Sequence, residues 1–310
     1  MSNDNRWGII YCPKNKLSGS NKRWKRLEWL LHEAEVSYDF IQSESSSGVS
    51  RLVNMLINNG YTTIIIVGGD SALNDAVNCL MQAETEKRDS VSLGIIPNGL
   101  MNDFAHYWGL SDNDDKQTID WLKKRRVRRI DVGCMRYTNQ KGEACRRYFV
   151  NCVNIGLVAA IMNLRRVTKR YVGSRTLSFC LSAILMLFQR MEYNMHIKIN
   201  SSVVKRNVMT VCVGNSLGYG QTPSAVPYNG TLDISVVYNS KILQFMEGLY
   251  LFMRGKILNY RSIHPFRTKK VEVISSDGAL VGIDGRLMNT PAGSYTITVE
   301  HEVLNFIIPE

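Results

Sequence analysis

A run of largely β-branched residues from Tyr61 to Val67, ending in Gly68-Gly69-Asp70, constrains the fold of this 310-residue chain most. A continuous apolar run of this kind is typical of a strand that is covered on both faces. A helix is predicted from about Leu73 to Glu84, and a second buried strand at Ser92–Ile96 ends in Pro97-Asn98-Gly99. This order of strand, glycine turn, helix and strand predicts a parallel α/β sheet.

The remaining chain divides into two patterns. Before the run, strands are predicted at 8–12 and 38–41 and helices at 21–35 and 49–58. After residue 130, short β-rich segments and two helical stretches predict a mainly antiparallel domain. The β-rich segments are 147–154, 196–199, 208–213, 232–238, 271–275 and 294–299, and the helical stretches are 157–192 and 240–255. We therefore predict an α/β domain at 1–129 and a β-rich domain at 130–310, and leave open whether the last residues pack back on the first.

Composition excludes several classes of protein. The longest mostly apolar segment, Leu177–Phe188, has 12 residues, against roughly 20 for a membrane-spanning helix. The first residues lack the apolar stretch of a secretory signal. Seven scattered cysteines without a C-x-x-C pair argue against zinc and a disulfide framework. We expect a reducing, cytoplasmic location.

The net charge of +11 indicates an anionic partner. The basic run Lys123–Arg129 is either a binding surface or a solvated face. A second cluster, Arg165 to Arg170, precedes the apolar segment 177–188. This pair of segments is either a site for anionic lipid or part of the core of the second domain. Nucleic acid is not the expected partner, because basic and aromatic residues do not interleave.

The two glycine loops are candidates for phosphate binding. Gly68-Gly69-Asp70 lies between a strand and a helix, where small residues let the backbone approach an anion and the helix dipole favours it. The Asp70 carboxylate would then require Mg²⁺ between itself and a phosphate. The loop at Asn98 to Asp103 follows the next strand, so both loops are expected at one edge of the sheet. Each loop on its own is equally compatible with a tight turn or a helix cap.

Together these motifs resemble the diacylglycerol kinase catalytic domain. The similarity includes Gly68–Asp75, Gly94–Pro97, Asn102–Ala105, Ile130–Gly133, Phe149–Gly156, Gly214-Asn215, Leu232–Ile234 and Ile283–Gly285. The resemblance implies an N-terminal domain like that of NAD kinases, which binds ATP and Mg²⁺, and a β-sandwich-like C-terminal domain. It also implies a lipid alcohol as the phosphoryl acceptor, met at the membrane surface, with peripheral contact at the inner face of the membrane left open. The oligomeric state is not indicated.

Site residues follow from the resemblance by position. The cofactor-binding set is Asn15, Gly19, Ser43, Gly68, Gly69, Asp70, Ser71, Asn74, Asp75, Gly99 and Asn102. The candidate catalytic residues are Asp284 and Asp103. The candidate Mg²⁺ ligands are Asp70 and Asp233.

The chain departs from the family where the chemistry would occur. The family's Gly-Gly-Asp-Gly-Thr motif corresponds to Gly68–Ala72, where Ser71 and Ala72 replace the last Gly and Thr. The family's Gly-Thr-Gly-Asn-Asp motif corresponds to Gly99–Asp103, where Leu100 and Met101 replace the Thr and the second Gly. An Asp-Gly-x-Leu-Asp motif, whose first Asp helps to hold a structural Mg²⁺ in bacterial members, begins here with Asn229. The Asp-Gly-Glu motif ends in Arg286, which cannot accept a proton, and loss of a general base slows such chemistry about 10²–10⁴-fold.

Two hypotheses follow. The chain is an ATP- and Mg²⁺-dependent lipid kinase that phosphorylates a diacylglycerol-like hydroxyl, or it is a catalytically impaired kinase-fold protein that binds lipid, nucleotide or a protein partner.

Overall fold

The computed structural model of the protein describes residues 6–13, 19–43, 48–99, 102–111, 113–172, 192–238, 259–289 and 293–309, with residues 247, 250, 251 and 291 singly. The backbone forms two compact units. Unit 1 comprises Met1–Asp131 and Glu302–Glu310, and unit 2 comprises Val132–His301. The sequence predicts this boundary near residue 129.

Unit 1 contains the predicted parallel sheet, in the strand order β4-β3-β1-β2. The strands are β1 (Trp7–Tyr11), β2 (Tyr38–Gln42), β3 (Thr63–Gly68) and β4 (Ser92–Pro97). All residues of β1, β3 and β4 are buried, which explains why these strands read as unbroken apolar runs. The end of the chain adds a parallel neighbour to β4, with Phe306 opposite Leu93.

Helices cover both faces of this sheet. They are α1 (Gly19–Glu33), α2 (Gly48–Asn58), α3 (Asp70–Gln82), α4 (Thr85–Ser90), α5 (Asp103–Tyr107) and α6 (Asp115–Lys124). Leu27 and Leu31 of α1 and Leu122 of α6 share one core with Ile65 and Val67 of β3. The opposite face meets α2, because a Cβ added at Gly8 would lie 2.7 Å from Leu56. The predicted α/β layering is therefore confirmed.

Unit 2 is mainly antiparallel, as predicted. Its elements are β5 (Val127–Thr138, which begins in unit 1), β6 (Ala144–Phe149), β7 (Cys152–Gly156), α7 (Leu157–Val172), β8 (Tyr193–Ile199), β9 (Ser202–Gly214), the 3₁₀ turn Gly218–Gly220, β10 (Leu232–Tyr238), β11 (Ile263–Thr268), β12 (Lys270–Ser275), β13 (Val281–Ile283), β14 (Arg286–Leu287) and β15 (Tyr295–Ile307, which ends in unit 1). The strand order β14-β13-β7-β9-β8-β12-β15 encloses an apolar core, and β10 pairs with β9 and β11.

One predicted strand differs from the structure, and part of one predicted helix lies outside the described residues. The stretch 147–154, predicted as one strand, is divided between β6 and β7, because the backbone N–H groups of Val150, Asn151 and Cys152 bind a side chain instead of a neighbouring strand. The helical stretch 157–192 begins as α7, and residues 173–191 lie outside the described residues, as does most of 240–255. The proposed lipid-contact segment 177–188 therefore lies there too.

Several side chains of the basic run Lys123–Arg129 bind other segments of unit 1. Lys123 donates to the carbonyl oxygen of Ala34, and Arg125 donates to the hydroxyl of Thr62. Arg129 donates to the carbonyl oxygen of Glu302 and pairs with Asp89. Part of this basic run therefore has partners within the protein itself, so its positive charge does not by itself indicate a binding surface. Among the described helices, none is both long and apolar enough to cross a membrane.

Candidate functional site

The two glycine loops of unit 1 are in direct backbone contact. β3 and β4 end side by side, with Gly68 opposite Pro97, and the N–H of Asn98 donates to the carbonyl oxygen of Gly68 at 2.7 Å. A Cβ added at Gly99 would lie 2.2 Å from the Cα of Gly69 and 2.9 Å from its nitrogen. Position 99 therefore accepts only glycine without movement of one loop, and the two loops form one continuous backbone surface.

Asp70 ties this surface to the start of α5. Its carboxylate is 1% exposed and accepts the N–H of Asp103 at 3.0 Å and the N–H of Phe104 at 3.2 Å. Asp70 also lies in the first turn of α3, where a negative charge is favoured by the helix dipole. A carboxylate has about four lone-pair positions and is a kind of oxygen ligand that Mg²⁺ binds. Gly69, the residue before α3, has no side chain with which to cap the helix.

Asn102 and Gly99 close the second loop. The side-chain oxygen of Asn102 accepts the N–H of Gly99 at 2.8 Å. The structure therefore brings together Gly68, Gly69, Asp70, Gly99 and Asn102 from the predicted set. Leu100 and Met101 lie outside the described residues.

The other predicted nucleotide residues are spread around these loops. Ser43 is buried after β2, where its N–H donates to the carbonyl oxygen of Tyr11, and Gly19 begins α1. Asn74 and Asp75 are buried inside α3. Ser71 is half-buried on the first turn of α3. Asn15 lies outside the described residues.

Sequence reasoning missed Asn98, which fixes the first strand to the second loop. Asn98 is 2% exposed, and its side-chain amide donates to the carbonyl oxygen of Cys12 at 3.1 Å. Its side-chain oxygen is buried and accepts no hydrogen bond from the described part of the chain. Burial, with a smaller contribution from Asp75, raises the pKa of the Cys12 thiol to about 12. This thiol is therefore neutral at physiological pH. The sequence signal that could have identified Asn98 as a site residue is its position between Pro97 and Gly99, at the start of the second loop.

In unit 2, Asp284 is the centre of a backbone cradle. Its carboxylate is 1% exposed and accepts three successive N–H groups, from Val150 at 2.9 Å, Asn151 at 3.1 Å and Cys152 at 2.9 Å. Its backbone is left-handed, with φ 43°, and its own N–H donates to the carbonyl oxygen of Cys152. These bonds hold the carboxylate in place. A proton acceptor at Asp284 would have to compete with all three donors.

A network of buried amides extends from this cradle. The side-chain oxygen of Asn151 accepts the N–H of Gly218 at 2.9 Å, and Asn215 donates to the carbonyl oxygen of Val150. The side chain of Gln221 donates to Asn154 at 2.7 Å. These side chains hold the loop after β9 against β7. Asn151, Asn154 and Asn215 lie within or beside motifs of the resemblance, but a motif does not reveal which amides bond to each other.

The predicted Mg²⁺ ligand Asp233 has a cationic partner from the protein. Both of its carboxylate oxygens bind the guanidinium of Arg267, at 2.6 and 3.0 Å. Asn229 stands where the resemblance has the first aspartate, and its side-chain oxygen accepts both the N–H and the hydroxyl of Thr231. No cluster of three or more His, Cys, Asp or Glu side chains suited to a metal occurs among the described residues. These residues do not fit a structural Mg²⁺. The absence of such a cluster does not argue against Asp70 as a ligand in the same way. An Mg²⁺ ion that arrives with a nucleotide needs only one or two protein carboxylates.

Comparisons with known proteins agree with this architecture. The profile described as "Diacylglycerol kinase catalytic domain" matches residues 6–135, and the profile "YegS C-terminal NAD kinase beta sandwich-like domain" matches residues 151–307. YtlR of Bacillus subtilis (strain 168) is 22% identical over 92% of this chain and 94% of its own. A diacylglycerol kinase of the same organism is 23% identical over 81% of this chain and 78% of its own.

Solved structures show the same fold. A diacylglycerol kinase from Bacillus anthracis str. Sterne has a TM-score of 0.67 at 17% identity, over 99% of this chain and 98% of that one. Yeast NADH kinase has a TM-score of 0.52 at 8% identity, over 97% and 82%. The fold is thus of the NAD kinase-like class. More specifically, the chain belongs to the diacylglycerol kinase catalytic-domain family with a YegS-type C-terminal domain.

Proposed function

We propose that this protein is a lipid kinase that uses ATP and Mg²⁺ to phosphorylate a diacylglycerol-like hydroxyl. The observation that carries the proposal is the contact between the Gly69 and Gly99 loops, at the first turn of α3 and with Asp70 fixed between α3 and α5. Two glycine loops at the carboxyl ends of neighbouring parallel strands are suited to a polyphosphate. The names of the relatives support the lipid alcohol as acceptor.

Each residue has a defined part in this proposal. Gly68 and Gly69 let the backbone approach the phosphates, and the N-terminal end of α3 favours their negative charge. Asp70 supplies a hard oxygen ligand for Mg²⁺, which neutralises phosphate charge when bound. Asp103 is half-buried at the start of α5, so its carboxylate is more accessible than that of Asp284. We assign the proton-accepting role to Asp103.

The lipid must be met at a membrane surface, and the net charge of +11 supports attraction to an anionic leaflet. Binding to vesicles of anionic phospholipid is therefore expected to weaken sharply as salt is raised. Equal binding to vesicles of a neutral phospholipid would contradict an electrostatic attraction.

A second candidate function is binding without turnover. Arg286 stands at the position of the family's general base, and the neighbouring Asp284 carboxylate is held by three backbone donors. In this case the glycine loops would still bind a nucleotide, but phosphate would not reach a lipid. Binding and turnover must therefore be measured separately.

The test is titration calorimetry of the full chain with ATP and Mg²⁺, beside Asp70→Asn. The substitution keeps the side-chain shape but removes the charge that Mg²⁺ requires. We expect saturable binding by the natural protein and at least about a tenfold loss in the variant, since hydrogen bonds and contacts to a charge contribute about 1.5–3 kcal/mol. Asp131→Asn is the matched control, because Asp131 is a fully buried carboxylate of the same unit that accepts the N–H of Glu302.

The outcomes separate the two functions. Binding together with transfer of labelled phosphate to diacylglycerol in mixed micelles supports the kinase. Binding without transfer to diacylglycerol or to other lipid alcohols supports the second candidate. Absence of ATP binding in a folded natural protein rejects both nucleotide-dependent proposals.

A further inference from the structure

Arg267 joins three segments of unit 2. From β11, its Nε and Nη2 atoms form a two-point bond to the carboxylate of Asp233 on β10, the residue opposite it in the strand pair. The same Nη2 donates to the carbonyl oxygen of Ser224 at 3.3 Å, in the loop that leads to β10. A fork of this geometry holds a carboxylate more specifically than a point charge does.

This fork fixes the loop that carries Gln221. The loop runs from the 3₁₀ turn to β10, and Gln221 at its start donates to Asn154 in the buried amide network. A cavity of about 370 Å³ opens beside it, lined by Gln221, Ser224, Asp233, Phe266 and Arg267 among others. The carboxylate therefore lies at the wall of an accessible space, and the positive charge next to it is supplied by the chain.

The side-chain oxygens of Asp233 and Asn229, which could bind a metal ion here, already have hydrogen-bond partners within the chain. Asp233 gives one oxygen to each nitrogen of the fork. Asn229 carries no charge, and its oxygen accepts two bonds from Thr231. A divalent cation placed here would meet the guanidinium at close range, and Asp233 is the one carboxylate among the described residues that line the cavity. The hydrogen bond to Asp233 and the charge of that carboxylate raise the pKa of Arg267 further, so its charge is permanent at any working pH.

We propose that Arg267 takes the place of a structural divalent cation in this chain, so that the loop between Gln221 and Asp233 is fixed by an internal guanidinium and is independent of Mg²⁺. The inference rests on the Asp233–Arg267–Ser224 contacts and on Asn229. It does not depend on whether the protein transfers phosphate. Mg²⁺ could have two uses in such a chain, one with the nucleotide in unit 1 and one as a structural ion in unit 2. The proposal assigns only the first use to this chain.

The experiment is thermal unfolding of the full chain without nucleotide, in buffer with MgCl₂ or with EDTA. Natural protein is expected to have the same Tm in both. Arg267→Ser is expected to lower Tm by about 2–4 °C, because Arg267 itself is half-exposed, although Asp233 is buried, and the loss of such a pair is modest in a unit of this size. Arg136→Ser is the matched control, since Arg136 is 52% exposed, against 54% for Arg267, and pairs with Glu300 on the same unit.

A double variant tests the replacement directly. Asn229→Asp with Arg267→Ser removes the guanidinium and restores a second carboxylate, so its Tm is expected to rise with MgCl₂ and to fall again with EDTA. The matched double variant Asn229→Asp with Arg136→Ser keeps the guanidinium and is expected to show no such rise.

If the double variant does not fold, the natural protein compared with Asp233→Asn can overturn the proposal. A rise in Tm with MgCl₂ that disappears in Asp233→Asn would show that Asp233 binds a cation despite Arg267. Binding of Mn²⁺, followed by electron paramagnetic resonance and lost in the same variant, would have the same meaning. Mn²⁺ binding that survives Asp233→Asn belongs to another site and supports the proposal.

Discussion

Asp70 in unit 1 and Asp284 in unit 2 are two motif aspartates with the same burial and different surroundings. Both are 1% exposed, and both accept backbone N–H groups from a distant segment. Asp70 accepts the N–H groups of Asp103 and Phe104, at the start of a helix and beside the Gly99 loop. Asp284 accepts three successive donors in a left-handed turn. Two motif carboxylates of equal burial thus have different surroundings, a helix start in one case and a set of three successive backbone donors in the other.

The comparison predicts its largest effect at Asp284. Asp284→Ala leaves three buried N–H groups without an acceptor, so we expect unit 2 to lose about 3–4 kcal/mol of unfolding free energy. Chemical denaturation followed by circular dichroism measures this loss. Asp277→Ala is the control, because Asp277 is also a left-handed aspartate, with φ 50°, but is exposed. The control shares the left-handed backbone and loses the acceptor of the Asn194 N–H, at 3.3 Å, where Asp284→Ala loses the acceptor of three buried N–H groups. A similar loss in both variants would show that strain, and not the three hydrogen bonds, explains the effect.

A substitution at Gly99 tests the site in unit 1, where the backbones of the two glycine loops are in contact. In Gly99→Ala the added Cβ would lie 2.2 Å from the Cα of Gly69, so one loop must move. We expect a loss of about 1–3 kcal/mol in stability, typical of overpacking, and at least about a tenfold weaker affinity for ATP. Denaturation and calorimetry measure the two effects.

Gly293→Ala is the matched control for this change, since a Cβ there meets no described atom within 4 Å. Unchanged ATP affinity in a folded Gly99→Ala protein would separate the contact of the two loops from nucleotide binding.

The parts of this molecule that sequence predicts best are those set by local pattern. Within the run Tyr61–Val67, the residues of β3 (Thr63–Gly68) are all buried because helices cover both faces of the sheet, and this burial leaves a continuous apolar signature. For Gly69 and Gly99, the sequence predicts only that their loops lie at the same edge of the sheet, not that their backbones touch. Its closeness depends on the stagger of two strands, which no single segment encodes.

Long-range polar bonds were not predictable in the same way. The break between β6 and β7 is caused by Asp284, more than 130 residues later, so the local pattern of 147–154 shows only a strand. Arg267 is one arginine among many in the sequence, and only the register of β10 with β11 places it opposite Asp233. Helix α6 was missed because its charged end dominates its composition.

The smallest predicted effect concerns Arg286, which distinguishes the two candidate functions. Arg286 lies on β14, opposite Ile283 and two residues after the cradled Asp284. If the protein is a slow kinase, Arg286→Glu restores a proton acceptor at the family's position, and we expect turnover to rise by about tenfold, part of the 10²–10⁴-fold that a general base supplies. The KM for ATP should be unchanged, because the nucleotide residues lie in unit 1. Phosphate transfer to diacylglycerol under saturating ATP measures the change. Arg286→Gln is the control, since it removes the positive charge without adding a base. An equal rise in both variants would mean that the arginine inhibits by its charge. No rise in either, with ATP still bound, would favour a protein that binds its ligands without turnover.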